Sequence, residues 1–91
     1  MIAGPRAFYE LGRVELDRGA AEEALTHFET ALRNHRPAAD VRVGMARAMA
    51  ELGRVEEARQ QLGLALQSSE LSEPEAAQAL LESLTAREAE G

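Results

Sequence analysis

The chain has 91 residues, of which 45% are hydrophobic and 29% charged, and its formal net charge is −6. This balance predicts one small soluble domain, and the negative charge argues against general nucleic-acid binding, which relies on cationic side chains facing phosphates. The sequence has no cysteine and no apolar run of about 20 residues, so disulfides, thiolate chemistry and a membrane span within this chain are excluded. We favour a cytoplasmic location, although nothing in the sequence fixes the compartment. All ten cationic residues are Arg, which we interpret as a bacterial-like compositional bias.

Apolar residues recur every three or four positions along most of the chain, which predicts helices and no strands. The first helix begins near Pro5 and ends at Gly19, and the second ends before Pro37, which disfavours helical geometry in the preceding residue. The apolar face of the first helix comprises Phe8, Leu11, Val14 and Leu16, and that of the second Ala24, Leu25, Phe28, Ala31 and Leu32.

Three more helices are predicted after Pro37. The third has Asp40 in its first turn and ends at Gly53. The fourth runs into the polar stretch SSELSEP, and the fifth is predicted to be capped by Ser72, with Pro74 in its first turn and AREAEG frayed at its end. The apolar face of the third helix comprises Val41, Met45, Ala48, Met49 and Leu52. That of the fourth comprises Val55, Ala58, Leu62, Ala65 and Leu66, and that of the fifth Ala77, Leu80, Leu81 and Leu84.

Two internal periods compete in the sequence. The strings RAFYELGRVE and RAMAELGRVE lie 41 residues apart, but outside them that spacing aligns unlike residues, such as Phe28 with Ser69. A period of 34 instead aligns like residues without gaps through two helices and the turn between them: Arg13 with Arg47, Gly19 with Gly53, Glu22 with Glu56, Glu23 with Glu57, Ala24 with Ala58, Ala31 with Ala65 and Leu32 with Leu66. The structural period is therefore 34, and ELGRVE serves two roles: Gly12 lies inside a helix, whereas Gly53 lies in a turn.

With this period, the sequence resembles the tetratricopeptide repeat (TPR) family, whose unit is a 34-residue helix–turn–helix. The first repeat matches at Phe8, Leu11, Gly12, Ala24, Phe28 and Ala31, and the second at Met45, Ala46, Met49, Ala58, Leu62 and Ala65. The first repeat departs at Glu15, where the family has an aromatic residue, and its Pro37 comes one residue late. The second has Arg42 in place of a large residue and lacks the closing Pro.

The resemblance implies an all-α fold, a TPR-like α-solenoid of five short antiparallel helices in a single domain. Repeat 1 would span about 5–37, repeat 2 about 38–70 and a capping helix about 73–88, although the last could instead be helix A of a truncated third repeat. Small residues would mark close helix contacts, with Gly12 near Ala24 and Ala46 near Ala58, while Ala31 and Ala65 would let the following helix A dock.

In this family, the first helix of each repeat lines a concave groove that binds peptides or partner helices. Carried over by position, the groove would present Arg6, Tyr9, Arg13, Asp17, Asp40, Val43, Arg47, Ala50 and Glu51. Because Arg13 and Arg47 are equivalent residues, both should face this groove, about 10 Å apart, where their planar guanidinium groups suit a carboxylate. We therefore hypothesise a protein or peptide partner with an acidic or C-terminal segment. The alternative is that both Arg side chains are solvated or paired with Glu10, Asp17 or Glu51.

No catalytic or metal-binding signature is present in the sequence. His27 and His35 have no acidic or thiol partner at ligand spacing and are interpreted as surface or packing residues. We therefore expect no enzymatic activity, no cofactor and no metal. Two other functions stay open: self-association, through an apolar end face or the side of the fifth helix around Leu80, Leu81 and Leu84, and a role as an accessory domain of a larger protein.

Overall fold

The computed structural model describes residues 4–34 and 37–90, and these residues form five α-helices and no strand. The helices are α1 (Pro5–Asp17), α2 (Ala21–Leu32), α3 (Ala38–Glu51), α4 (Val55–Leu66) and α5 (Pro74–Glu90). The prediction of an all-α fold is confirmed. α5 continues to Glu90, so residues 86–90, which were predicted to be frayed, are helical.

Two glycines at equivalent positions end the first helix of each repeat. Gly19 follows α1 and Gly53 follows α3, and both have φ of +80°, a conformation that side chains with a Cβ rarely adopt. Gly12, by contrast, lies inside α1 and is buried. The two roles predicted for the string ELGRVE are therefore both observed.

Each helix packs mainly against the next one along the chain, and the order of contacts is α1 on α2, α2 on α3, α3 on α4 and α4 on α5. The helices form a layered body of 48 × 29 × 17 Å. A stack in which each unit touches its neighbours is the architecture of a helical solenoid.

The core is built largely from alanine, which lets helices approach closely. Among the predicted packing residues, nine have side chains at most 5% exposed: Ala24, Phe28, Ala31, Met45, Ala46, Ala58, Leu62 and Ala65, together with Met49 from the second repeat. Gly12 is also buried, and Phe8 is half-buried. Phe28 fills the space beside Gly12: a Cβ on Gly12 would lie 2.8 Å from Cε1 of Phe28, and a Cβ on Gly44 would lie 2.7 Å from the same atom.

Leu11 was predicted to pack, but its side chain is 42% exposed. The reason is its position in the stack. Its equivalent in the second repeat, Met45, lies on the side of α3 that packs on α2, and no described helix precedes α1 to cover Leu11 in the same way. Val14 beside it is 45% exposed for the same reason.

The fifth helix packs on α4 much as α3 packs on α2, but with a spacing of 36 residues. Val41 and Ala48 of α3 are buried, and so are Ala77 and Leu84 of α5, each 36 residues further along. The linker from Gln67 to Glu73 is two residues longer than the linker between α2 and α3, which accounts for the offset. At the α5 positions that correspond to the buried Ala46 and Met49, the chain has exposed Glu82 and Thr85.

Ser72 does not cap α5 as predicted. The helix begins at Pro74, so Glu73 occupies the position before the first helical residue. The hydroxyl of Ser72 instead donates to Oδ2 of Asp40, and the backbone N–H of Ser72 donates to Oδ1 of the same carboxylate at 2.9 Å. These two bonds fasten the start of α5 to the first turn of α3.

Candidate partner-binding groove

One side of the stack carries an open concave cavity of about 750 Å³. Helices α1 and α3 form its floor, and the segment leading into α5 forms one edge. Eight of the nine predicted groove residues line it: Arg6, Tyr9, Arg13, Asp17, Asp40, Val43, Arg47 and Glu51. Ala50 does not, because its half-buried side chain packs against the core.

The 34-residue period arranges these side chains in four rows that cross the groove from α1 to α3. The first row has opposite charges, Arg6 and Asp40; the second has apolar bodies, Tyr9 and Val43; the third is cationic, Arg13 and Arg47; and the fourth is anionic, Asp17 and Glu51. Consecutive rows are one helical turn apart, because their members are separated by three or four residues. The groove therefore has mixed charge: Arg6 shares its row with an acid, and the third row alone has two cations.

Arg13 is partly engaged by its own helix. Its Nη1 lies 3.5 Å from Oε1 of Glu10, and its guanidinium carbon lies 5.7 Å from the centre of the Tyr9 ring. Both members of the ion pair are exposed, so the pair contributes little to stability and leaves Arg13 able to move toward a ligand. Within residues 4–34 and 37–90, Arg13 has no ion pair with Asp17, one of the three acids considered above.

Arg47 is exposed on α3 and makes no hydrogen bond or ion pair with any residue that the structure describes. Glu51, one turn further along the same helix, does not neutralise it. The Arg47 guanidinium has five donors and no acceptor in reach among the described residues, so these donors are available to an anionic ligand.

Tyr9 forms the apolar contact between α1 and the base of the groove. Its ring packs on Phe28, with centroids 5.9 Å apart and planes tilted by 57°. Burial raises the pKa of Tyr9 above the usual value of 10.0, Arg13 opposes that rise, and the charges of Asp40, Glu10 and Glu73 add to it. The phenol is therefore neutral at physiological pH.

Several lining residues were not predicted. Gly44 was not included in the groove, yet it lines the floor beside Phe28, because a bare backbone here leaves room for the ring. Leu71, Ser72 and Glu73 close the edge next to α5. The longer linker that brings them there breaks the 34-residue spacing, so the repeat pattern carried no signal for them.

A sequence profile of the tetratricopeptide repeat matches residues 15–72, more than half of the chain. The chain belongs to the tetratricopeptide repeat family. No curated protein and no solved structure is detectably similar to it. TPR domains are generally non-enzymatic modules that mediate protein–protein interaction.

The positions at which the first TPR departs from the family pattern have a structural explanation. Glu15 stands where the family has an aromatic residue, and its Oε1 lies 2.6 Å from Nδ1 of His27 on α2. The ring of His27 also stacks on Phe8, with centroids 6.2 Å apart. The interpretation of His27 as a packing residue agrees with this stack on Phe8, but the spacing in the sequence did not predict its acidic partner Glu15. His35 lies outside the described residues.

In the second TPR, the positions equivalent to Phe8 and His27 carry polar side chains in place of the two rings. Arg42 and Gln61 are equivalent to Phe8 and His27, and Nη1 of Arg42 donates to Oε1 of Gln61 at 2.8 Å. A ring stack in one repeat is thus replaced by a hydrogen bond in the next. In both repeats this pair of positions joins the first helix to the second, and none of the four residues lines the groove.

Neither a metal site nor a membrane helix is found in the described part of the chain. No three His, Asp or Glu side chains there are grouped so as to hold a metal ion. None of the helices is long and apolar enough to cross a membrane.

Proposed function

We propose that this TPR domain is a non-enzymatic module that binds a segment of a partner protein in its concave groove, with a carboxylate of the partner between Arg13 and Arg47. The observation that carries the proposal is the cationic row. Two equivalent guanidinium groups line one cavity, and that of Arg47 has no partner among the described residues.

The rows on either side of the cationic row narrow the kind of segment expected. On one side of the cationic row, Asp17 and Glu51 lie one helical turn away and would repel a second acid of the segment. On the other side, Tyr9 and Val43 lie one turn away and favour an apolar side chain. A single carboxylate next to an apolar residue therefore fits better than a run of acids. A C-terminal carboxylate that follows an apolar residue meets this requirement.

The proposal is tested with fluorescent peptides that share one apolar sequence and end in either a free carboxylate or an amide. Wild-type protein is expected to bind the free acid about tenfold more tightly than the amide. The reason is that the amide lacks one charge-assisted contact, which contributes about 1.4 kcal/mol. Arg13→Ala with Arg47→Ala should remove that preference and leave the melting temperature nearly unchanged, since both side chains are exposed.

The matched control is Arg33→Ala with Arg87→Ala, which removes the same charge at two exposed positions outside the cavity. This variant should keep the preference for the free acid. The proposal would be contradicted if the variant without Arg13 and Arg47 preferred the free-acid peptide over the amide as strongly as the wild type does.

Self-association is the second candidate function, and of the two surfaces considered for it, the apolar residues exposed on α1 favour the end face over the side of α5. Leu84 is 1% exposed, and Leu80 and Leu81 pack against the core, so α5 offers no free leucine cluster. The apolar end face of the stack is instead on α1, at Leu11 and Val14. A role as accessory domain of a larger protein is compatible with either surface.

A further inference from the structure

The outer face of α1 carries a stripe of residues that no described residue covers. Ala7, Leu11, Val14 and Arg18 are separated by four, three and four residues, so they form one line along the helix, and all four are exposed. Tyr9 and Arg13 point into the groove on another side of α1. The stripe is therefore separate from the proposed peptide site.

The equivalent stripe on α3 is buried, because a neighbouring helix packs on it. The residues of α3 that correspond to Ala7, Leu11 and Val14 are Val41, Met45 and Ala48, and α2 helps to bury all three to 5% exposure or less. The stripe on α1 has the pattern of a helix-packing face without its helix.

A head-to-tail stack of two copies would not supply a suitable cover. The outward side of α5, at the other end, presents Glu82 and Thr85, which are polar and exposed. Placing these on Leu11 and Val14 would bury the Glu82 carboxylate against apolar side chains, with Nε2 of Gln78 at 3.3 Å as its one hydrogen-bond donor in the part of the chain that the structure describes, which is unfavourable.

The same stripe on a second copy is complementary to itself. When two α1 helices pair antiparallel about a two-fold axis between Leu11 and Val14, Leu11 of each copy faces Val14 of the other. Arg18 then faces the small Ala7, which leaves room for the long Arg stem. Glu10, on the turn next to Ala7, comes within reach of the guanidinium of Arg18.

The charges on the stripe agree with this pairing. Arg18 makes no ion pair with any side chain in residues 4–34 and 37–90, and Glu10 has only the exposed 3.5 Å contact with Arg13. In the antiparallel pair, both copies gain an Arg18–Glu10 contact. An isologous interface of this kind satisfies both copies equally.

We propose that the outer face of α1 binds the same face of a second copy, in an antiparallel two-fold dimer with Leu11 and Val14 at its centre. One helix from each copy gives an interface at the small end of the range for specific complexes, so the dimer is weak and forms at high protein concentration.

Sedimentation velocity from the micromolar to the millimolar range measures this equilibrium on the full chain. The wild type is expected to shift from monomer to dimer, and Leu11→Gln with Val14→Gln should stay monomeric at every concentration. Leu64→Gln is the matched control, because Leu64 is 47% exposed on α4, outside the stripe, and should dimerise like the wild type. Circular dichroism verifies that all three remain helical.

A charge exchange tests the antiparallel arrangement. Arg18→Glu should raise the dissociation constant by about tenfold, because Glu then faces Glu10 of the other copy. Adding Glu10→Arg to Arg18→Glu should restore the constant to within about threefold of the wild type.

Three results would overturn the proposal: a wild type that is monomeric throughout, a dimer that survives loss of Leu11 and Val14, or a charge exchange that fails to restore dimerisation. None of them would affect the peptide experiment, since Arg13 and Arg47 lie outside the stripe.

Discussion

At the scale of single residues, the buried ring of Phe28 packs closely against the bare backbones of two glycines. Gly12 of α1 and Gly44 of α3 each lie where a Cβ would come within 3.0 Å of three ring atoms. The aromatic side chain of α2 thus reaches both helices that form the floor of the groove. Neither glycine is required by backbone conformation, because both lie inside helices.

Gly12→Ala and Gly44→Ala should therefore each lower the free energy of unfolding by about 1–3 kcal/mol, the usual cost of overpacking a core. Gly63→Ala, also inside a helix but with no atom within 4 Å of the new Cβ, should raise it by about 0.5–1 kcal/mol through helix propensity. Urea denaturation measures all three.

Adding Phe28→Leu should make Gly44→Ala much less costly than it is in the wild type, because the smaller side chain leaves room for the Cβ. Additive effects of these two changes would show that the ring is not the obstacle.

The single tyrosine of the chain reports directly on the groove. Because the charge of Arg13 opposes the rise in the pKa of Tyr9, Arg13→Ala should raise that pKa further. Arg47→Ala is the matched control, since Arg47 is not among the groups that shift the Tyr9 pKa, and should leave it unchanged. Ultraviolet absorbance titration measures the phenolate without interference, because the chain has one Tyr and no Trp.

The sign of the effect on stability follows from the same shift. The pKa is higher in the folded protein, so the unfolded chain loses the Tyr9 proton first as pH rises. Folding stability should therefore decrease as pH rises from about 10 through the folded value. An Arg13→Ala variant with a lower pKa than the wild type would contradict the proposed geometry.

At the scale of helices, α1 and α2 are joined by the Glu15–His27 contact of 2.6 Å, whose side chains are 16% and 29% exposed. A partly buried hydrogen bond to a charged group contributes about 1.5–3 kcal/mol, more than an exposed ion pair. Glu15→Ala and His27→Ala should each destabilise the chain by an amount at the lower end of this range.

The double variant should cost clearly less than the sum of the two single variants, as a double-mutant cycle by thermal or urea denaturation would measure. Arg13→Ala with Glu10→Ala provides a comparison in which an exposed pair on one helix has little coupling. Full additivity at Glu15 and His27 would mean that the contact does not link the helices.

The positions of the helices were largely predictable because local signals agree with the period. Gly19 and Gly53 end helices in both repeats, and Pro37 precedes α3. The contact of Phe28 with Gly44 was not predictable from the alignment of repeats, because Gly44 is equivalent to Glu10 and the two positions share no residue type. The Glu15–His27 contact was also not predictable. Glu15 departs from the family pattern, but that departure does not identify His27 as its partner.

At the scale of the whole molecule, the two ends of the stack differ. The far side of α5 is polar at Glu82 and Thr85, whereas the outer face of α1 exposes Leu11 and Val14. We propose that α5 acts as a cap, since it buries Ala77 and Leu84 and offers no second apolar face. The exposure of Leu11 could not be predicted from periodicity, which identifies an apolar face but not whether a neighbouring helix covers it.

The 34-residue period predicts some of the residues that line the groove but not others. Residues related by the 34-residue period do lie around one cavity, because equivalent positions on parallel helices face the same side. The edge formed by Leu71, Ser72 and Glu73 depends on tertiary contacts, in particular the bonds of Ser72 to Asp40, and the linker sequence gave no signal for them. The binding role of all these residues stays a prediction.

Amide chemical-shift mapping by NMR tests the central claim most directly. With the peptide that ends in a free carboxylate, we expect the largest changes at cavity residues of α1 and α3, including Arg13, Gly44 and Arg47, and little change at Leu11 and Val14. Changes confined to the outer face of α1 or to α4, or no change at saturating peptide, would contradict the account.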